Sequence, residues 1–267
     1  MEESINKVKK QRLAWEIQLF KDYAYQMEHL SYLLHLSVKG ISSLIGAAGL
    51  IEAVSNLEKY EGKKDENSQA KIENAKKEAE LAKKEVEEDF PLLHAQFTIA
   101  LWSSLECLIR LFIVRLLQNH KPAMEAKAIQ KLQVKIGEYE GLEGEERYFY
   151  IVDKLEQDLS IPLKSGITRF ENLLEPFGLS GPIDENVRRD LFELNQVRNV
   201  LVHRSGIADR RFIESCPWLN LSVGDPVKIS NQTAQQYFKS VQIYSVELII
   251  RVGEYFGNDM SSVRKNR

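Results

Sequence analysis

Apolar residues recur at intervals of three and four along most of this chain, the spacing of helices that bury one face. From residue 5 to residue 57 the stripe runs through Leu13, Ile17, Leu19, Phe20, Ala24, Met27, Leu30, Leu34 and Val38. Gly40, Gly46 and Gly49 then weaken or break the helix, or let another helix approach closely. Leu50 to Leu57 lead into a stop at Glu61-Gly62. Residues 63 to 89 alternate lysine and glutamate, with Glu73–Lys77 and Glu80–Lys84 in the favoured order four apart. There Ile72, Ala75, Ala79, Ala82 and Val86 make a narrow seam suited to one close partner helix. The pattern predicts a long helical hairpin, 5–57 outward and 65–89 returning. A solvated single helix or partly disordered connector over 63–89 is the other reading the composition admits.

Asp89-Phe90-Pro91 opens a new helix, since proline is tolerated in a first turn. Leu92 to Gln118 is strongly apolar, interrupted by Glu106, Arg110 and Arg115. Helices follow over about 124–139 and 146–159. Ser160-Ile161-Pro162 separates the second from a short helix near 164–174. Pro176, Gly178, Gly181 and Pro182 mark a loop, and Asp184 is a credible N-cap for a helix reaching about His203. Ser205-Gly206 stops it. Residues 207–230 read as an irregular or β-hairpin insertion turning at Val223-Gly224-Asp225-Pro226. A last amphipathic helix spans Thr233 to Phe256, and the polar tail 257–267 is expected to be flexible. The fold class is all-α, with a hairpin arm over 1–90 and a helical domain over 91–256.

Composition narrows this little. Net charge is −3 over 267 residues, so any basic surface must be local. Cys107 and Cys216 stand far apart without a CxxC pair, which points to neither a disulfide framework nor zinc and fits a reducing, cytoplasmic setting. The apolar runs 40–51 and 92–105 fall short of the ~20 residues that a spanning helix needs, and are read as buried faces rather than membrane segments. No cofactor motif and no metal-ligand set is evident.

One stretch offers chemistry. Between residues 188 and 211, basic residues outnumber acidic ones two to one in a net acidic chain. Leu191, Leu194, Val197 and Leu201 supply the core face of that helix. Asn199 and His203 lie about 40° apart around it, and Arg198 about 140° from His203, at 100° per residue. A histidine exchanges protons near neutral pH. A guanidinium holds phosphate oxygens through parallel hydrogen bonds. RNA carries its own 2′-hydroxyl nucleophile, so this set suits phosphodiester cleavage without a metal. Spacing alone is weak, for Arg115 and His120 repeat it at the end of an apolar helix. A structural reading stands beside it: His203 as a helix-terminal cation, and Arg198 paired with Glu193 or Glu106.

Arg198-Asn199-Val200-Leu201-Val202-His203, followed by Arg204-Ser205-Gly206-Ile207, resembles the R-x4-6-H signature of HEPN-domain proteins. Ala100-Leu101-Trp102-Ser103-Ser104-Leu105-Glu106 is similar to the earlier helix of that family. The resemblance covers residues 91 to 256 and implies a HEPN-like helical bundle. It implies a metal-independent endoribonuclease of toxin–antitoxin or antiviral defence, or else a non-catalytic scaffold that binds RNA, nucleotide or a protein. Within it His203 would be the general base or acid, and Arg198 would hold the scissile phosphate. Asn199 would position His203 or the phosphate, and Glu106 would orient Arg198 or His203. Arg204, Arg210 and Arg211 would bind RNA. The partners implied are RNA, a second copy joined through the motif-bearing helices, and an antitoxin or sensor protein.

Overall fold

The computed structural model describes residues 2–61, 67–159 and 166–265, with side chains from Trp15 onward. Among these residues the protein is all α-helical. The helices are α1 (Glu2–Tyr60), α2 (Ser68–Glu87), α3 (Pro91–Asn119), α4 (Lys121–Met124), α5 (Lys127–Gln130), α6 (Ile136–Glu140) and α7 (Glu146–Asp158), then α8 (Ile167–Leu174), α9 (Glu185–His203), α10 (Arg210–Ser215), α11 (Asn231–Tyr255) and α12 (Ser261–Lys265).

α3 is the central post. It buries residues from His94 to Leu117 on most of its circumference and leaves one stripe through Ser103, Cys107 and Arg115 to solvent, the pattern of a helix with neighbours on most sides. α1, α7, α8, α9 and α11 pack around it. The first half of α1 belongs to the same core. Phe20 stacks on Phe112 at 6.1 Å, and Tyr23 and Met27 are buried. The division expected at residue 90 therefore crosses packed core; α1 leaves the bundle only in its second half, where α2 returns along it. α2 is a packed helix, burying Ile72, Ala75 and Ala82. Lys77–Glu73 forms at 3.0 Å, and Lys76–Glu52 ties the two helices at 3.4 Å. Two segments, Trp15–Tyr60 and Pro91–Asn119, are long and apolar enough to cross a membrane; the second is largely buried by its neighbours.

Several local expectations are corrected. Gly40, Gly46 and Gly49 neither break α1 nor admit a close neighbour, since a Cβ at each would meet nothing within 4 Å. Backbone hydrogen bonds and packing by α2 outweigh their propensity cost of about 1 kcal/mol each. The single helix expected over 124–139 is three short pieces, α4 to α6. The insertion over 207–230 is pinned by one antiparallel bridge, Ile207 to Pro226, with Ala208 N–H donating to Asp225 O at 2.9 Å. In the tail, α12 is held by Arg264, which donates to both oxygens of Glu254 at 2.9 Å. The stops expected at Gly62 and at Ser160-Ile161-Pro162 lie outside the described residues.

The turn from α2 into α3 runs through Asp89 and Phe90, both left-handed without being glycine (φ 61° and 51°). Such residues cost about 1 kcal/mol or more each and persist where their surroundings fix them. Here Phe90 is buried, and the Asp89 carboxylate accepts from Asn231 N–H at the start of α11 at 2.7 Å.

Candidate functional site

α9 is built as its sequence indicates. Asp184 caps it, Oδ1 accepting from the N–H groups of Asn186 (2.9 Å) and Val187 (3.2 Å). Val187, Leu191, Leu194, Val197 and Val200 face the core. At the far end Gly206 N–H donates back to Val200 O at 3.1 Å, through left-handed Ser205 and Gly206 (φ 53° and 75°). Glycine takes that conformation without steric cost. The chain thus reverses directly after His203 and lays α10 beside the end of α9.

The reversal creates a cleft of about 380 Å³, within the range of small-ligand sites. Its walls are the end of α9 (Arg198, Asn199, His203), α10 with Arg211, and α3 and α8 with Glu106 and Arg169. Trp102, almost fully buried and stacked on Phe170 at 5.2 Å, is the floor. Of the expected site residues, Arg198, Asn199, His203, Glu106, Arg204 and Arg211 all line this one cleft. Arg210 does not. It points outward and pairs with Glu214 one turn on, at 3.0 Å, because neighbours in a helix diverge by 100°.

Hydrogen bonds assign the side chains more finely. Glu106 Oε1 accepts from Arg169 Nη1 at 2.8 Å, so its bond goes to Arg169 rather than to Arg198 or His203. Arg169 also reaches Glu156 at 2.9 Å, and Glu156 meets Arg110 at 2.9 Å. Arg110 in turn pairs with Asp153. Asn199 acts on Arg198: its Oδ1 accepts from Arg198 Nη1 at 3.1 Å, while its Nδ2 donates to buried Asn195 at 3.4 Å. Arg204 pairs with Asp209 at 3.3 Å, and Asp209 caps α10 by accepting from Phe212 N–H at 2.8 Å.

Among the described residues no carboxylate pairs with Arg198. Both candidates for a structural pairing are engaged elsewhere, Glu106 with Arg169 and Glu193 with Tyr237 Oη (2.7 Å) and Trp218 Nε1. Arg198 Nε is buried and finds no hydrogen-bond partner among the described residues, which is costly for a charged donor. Four arginines against two carboxylates line the cleft, so its field favours an anion. His203 is exposed at the rim, and no hydrogen bond to its ring exists among the described residues. Among the described residues no three His, Cys, Asp or Glu side chains gather as a metal-ligand set. Cys216, behind α9, has its thiol pushed up to about 12, first by burial and then by Glu193. It therefore stays protonated and unreactive.

Arg169 and Asp209 were not legible as site residues, whereas Asn195 shares the polar face of α9 with Asn199 and His203 at four-residue spacing. Arg169 comes 29 positions before Arg198 in the sequence, inside a short helix with no distinguishing spacing; only the packing of α8 against α3 brings it to the cleft. Arg188 and Arg189 open α9, about 22 Å from His203 at 1.5 Å per residue, and Arg189 lies over Trp218 at 4.7 Å. Compared with models of protein families, with curated proteins and with solved structures, the chain matches none.

Proposed function

We propose that the cleft at the end of α9 binds an RNA phosphodiester and cleaves it, in the manner of a HEPN-type, metal-independent endoribonuclease. The observation that supports this most is Arg198: partly buried, lining an arginine-rich cleft, and, among the described residues, without a carboxylate and with Nε unpartnered. A phosphate in the cleft supplies the counter-charge at the terminal nitrogens of the guanidinium, and a charge-assisted bond of that kind is among the strongest available.

In this reading Arg198 and Arg211 hold the non-bridging oxygens, and Asn199 fixes the guanidinium of Arg198 from the side. The ribose 2′-oxygen attacks phosphorus while the 5′-oxygen leaves, giving a 2′,3′-cyclic phosphate and a 5′-hydroxyl. His203 takes the 2′-hydroxyl proton or delivers one to the leaving oxygen. Two transfers with one histidine per cleft call for a shuttled proton or for His203 of a second copy. Glu106 acts on the site through Arg169. A role in defence, with an antitoxin or sensor partner, belongs to the same proposal and rests on the resemblance alone.

The test is cleavage of total RNA and of tRNA in EDTA, with product ends mapped. Wild type should leave cyclic phosphate ends, and His203→Ala and Arg198→Ala should lose 10²-fold or more, the scale of one acid–base group or one charge-stabilising contact. Equal cutting by His203→Ala and wild type refutes its assignment. A second reading, RNA binding without cleavage, draws on the absence, among the described residues, of any hydrogen bond that orients the His203 ring. Binding by wild type with no cutting under any condition, reduced in Arg198→Ala, would select it.

A further inference from the structure

The second half of α1 carries a surface that the cleft does not use. Its inner side, with Ala48 and Ser55 buried, is covered by α2. The outer side is bare. Leu36, Leu50, Val54 and Leu57 are 46%, 71%, 53% and 64% exposed, and Tyr32 and Leu33 continue the stripe. Isolated exposed leucines are ordinary, but a continuous row is not.

The row has a seven-residue period. Leu36, Ser43, Leu50 and Leu57 form one series, and Leu33, Gly40, Ala47 and Val54 the other. Spacing of three and four kept over several heptads is the seam of a coiled coil, drifting ~20° per heptad on a straight helix. The seam is uneven in size. Gly40, Ser43 and Ala47 are small, and Leu50, Val54 and Leu57 are large. A parallel partner would set Gly40 against Gly40 and leave a void. An antiparallel one, with its axis between Ala47 and Leu50, sets Ala47 against Leu50, Ser43 against Val54 and Gly40 against Leu57. Each small residue then receives a large one. Gly40 has the room, since a Cβ there meets nothing within 4 Å. Ser43 loses no hydrogen bond on burial, because its hydroxyl already donates to Gly40 O at 2.7 Å.

We propose that the outer seam of α1, residues 40–57, is a self-association surface that pairs two copies of this chain antiparallel. The self-complementary order of small and large residues is what a two-fold axis requires. The paired stretch, Gly40 to Leu57, runs about 26 Å at 1.5 Å per residue. A lipid surface fits less well, because α2 would have to follow with its lysines and glutamates beside the seam.

The test measures solution mass for the full chain at micromolar concentration. Wild type should be a dimer, and Leu50→Glu/Leu57→Glu a monomer of unchanged helicity, since both side chains are exposed in the single copy. A monomeric wild type, or a double variant that stays dimeric, overturns the proposal. In a Cys107→Ser background, co-expressed Gly40→Cys and Leu57→Cys chains should oxidise to a mixed covalent dimer. Self-linking of Gly40→Cys at a higher yield would mean a parallel pair and refute the arrangement. Monomeric wild type that floats with anionic phospholipid vesicles, and ceases to in the double variant, would make lipid the occupant instead.

Discussion

Arg251 is the place to test whether the wall of the cleft is fixed by buried charge. Its guanidinium, 8% exposed, donates from Nη1 to both oxygens of Glu171 at 3.0 Å and from Nη2 to Pro182 O at 2.8 Å. Glu171, 9% exposed, also accepts from Tyr244 Oη and Gly181 N, both at 2.8 Å. Glu171 sits two residues after Arg169 on α8, so the knot anchors the helix that brings Arg169 to the cleft. Arg251→Met keeps much of the volume and leaves Glu171 with a buried charge and two neutral donors. Breaking a buried pair from one side costs about 3–5 kcal/mol, which for a chain of this size lowers Tm by roughly 10 °C. Urea unfolding followed by far-UV circular dichroism measures the loss, and Arg251→Met/Glu171→Gln should recover part of it, since Glu171 then carries no buried charge, while Glu247, which also accepts from Arg251 Nε at 3.4 Å, keeps Arg264 at 3.9 Å. A loss under about 1 kcal/mol in Arg251→Met, or a double variant as unstable as the two single losses added, would refute the assignment.

Three further outcomes follow from particular residues. Glu16 is buried with neither carboxylate oxygen paired to a side chain among the described residues, and burial, opposed by a backbone hydrogen bond, raises its carboxyl to about 7 from 4.5. The unfolded chain therefore sheds this proton first, so stability should fall as pH rises from 4.5 to 7 and level off above; Glu16→Gln should remove that slope and stabilise the protein at pH 8 by up to about 3 kcal/mol, and an unchanged pH profile would contradict it. Arg211→Ala should weaken single-stranded RNA binding severalfold and reduce the salt slope by about 0.7, whereas Arg210→Ala, outside the cleft and paired with Glu214, should change affinity less than about twofold. Titration with a thiol reagent at pH 8 should find one fast cysteine, exposed Cys107, and one slow one, buried Cys216; two fast thiols would mean that α9 is not packed as described.

What the sequence by itself determined is what short-range periodicity carries. The start of α3 at Pro91, the Asp184 cap, the stop at Ser205-Gly206 and the all-α class all follow from local backbone chemistry, which a few neighbouring residues decide. Arg198, Asn199 and His203 were legible for the same reason, since one helix end holds them together. The tertiary structure decided the rest. Glycines in α1 were overruled by the continuity of a helix packed on α2. The apolar residues over 124–139 broke into short helices because their packing against α3 and α7, not their own spacing, sets the path. Glu106 found Arg169 across 63 positions, and Arg210 left the site while Arg211 entered it through a rotation of 100°. Charge partners depend on distance in space, and spacing along the chain reports that distance only within a turn or two of helix.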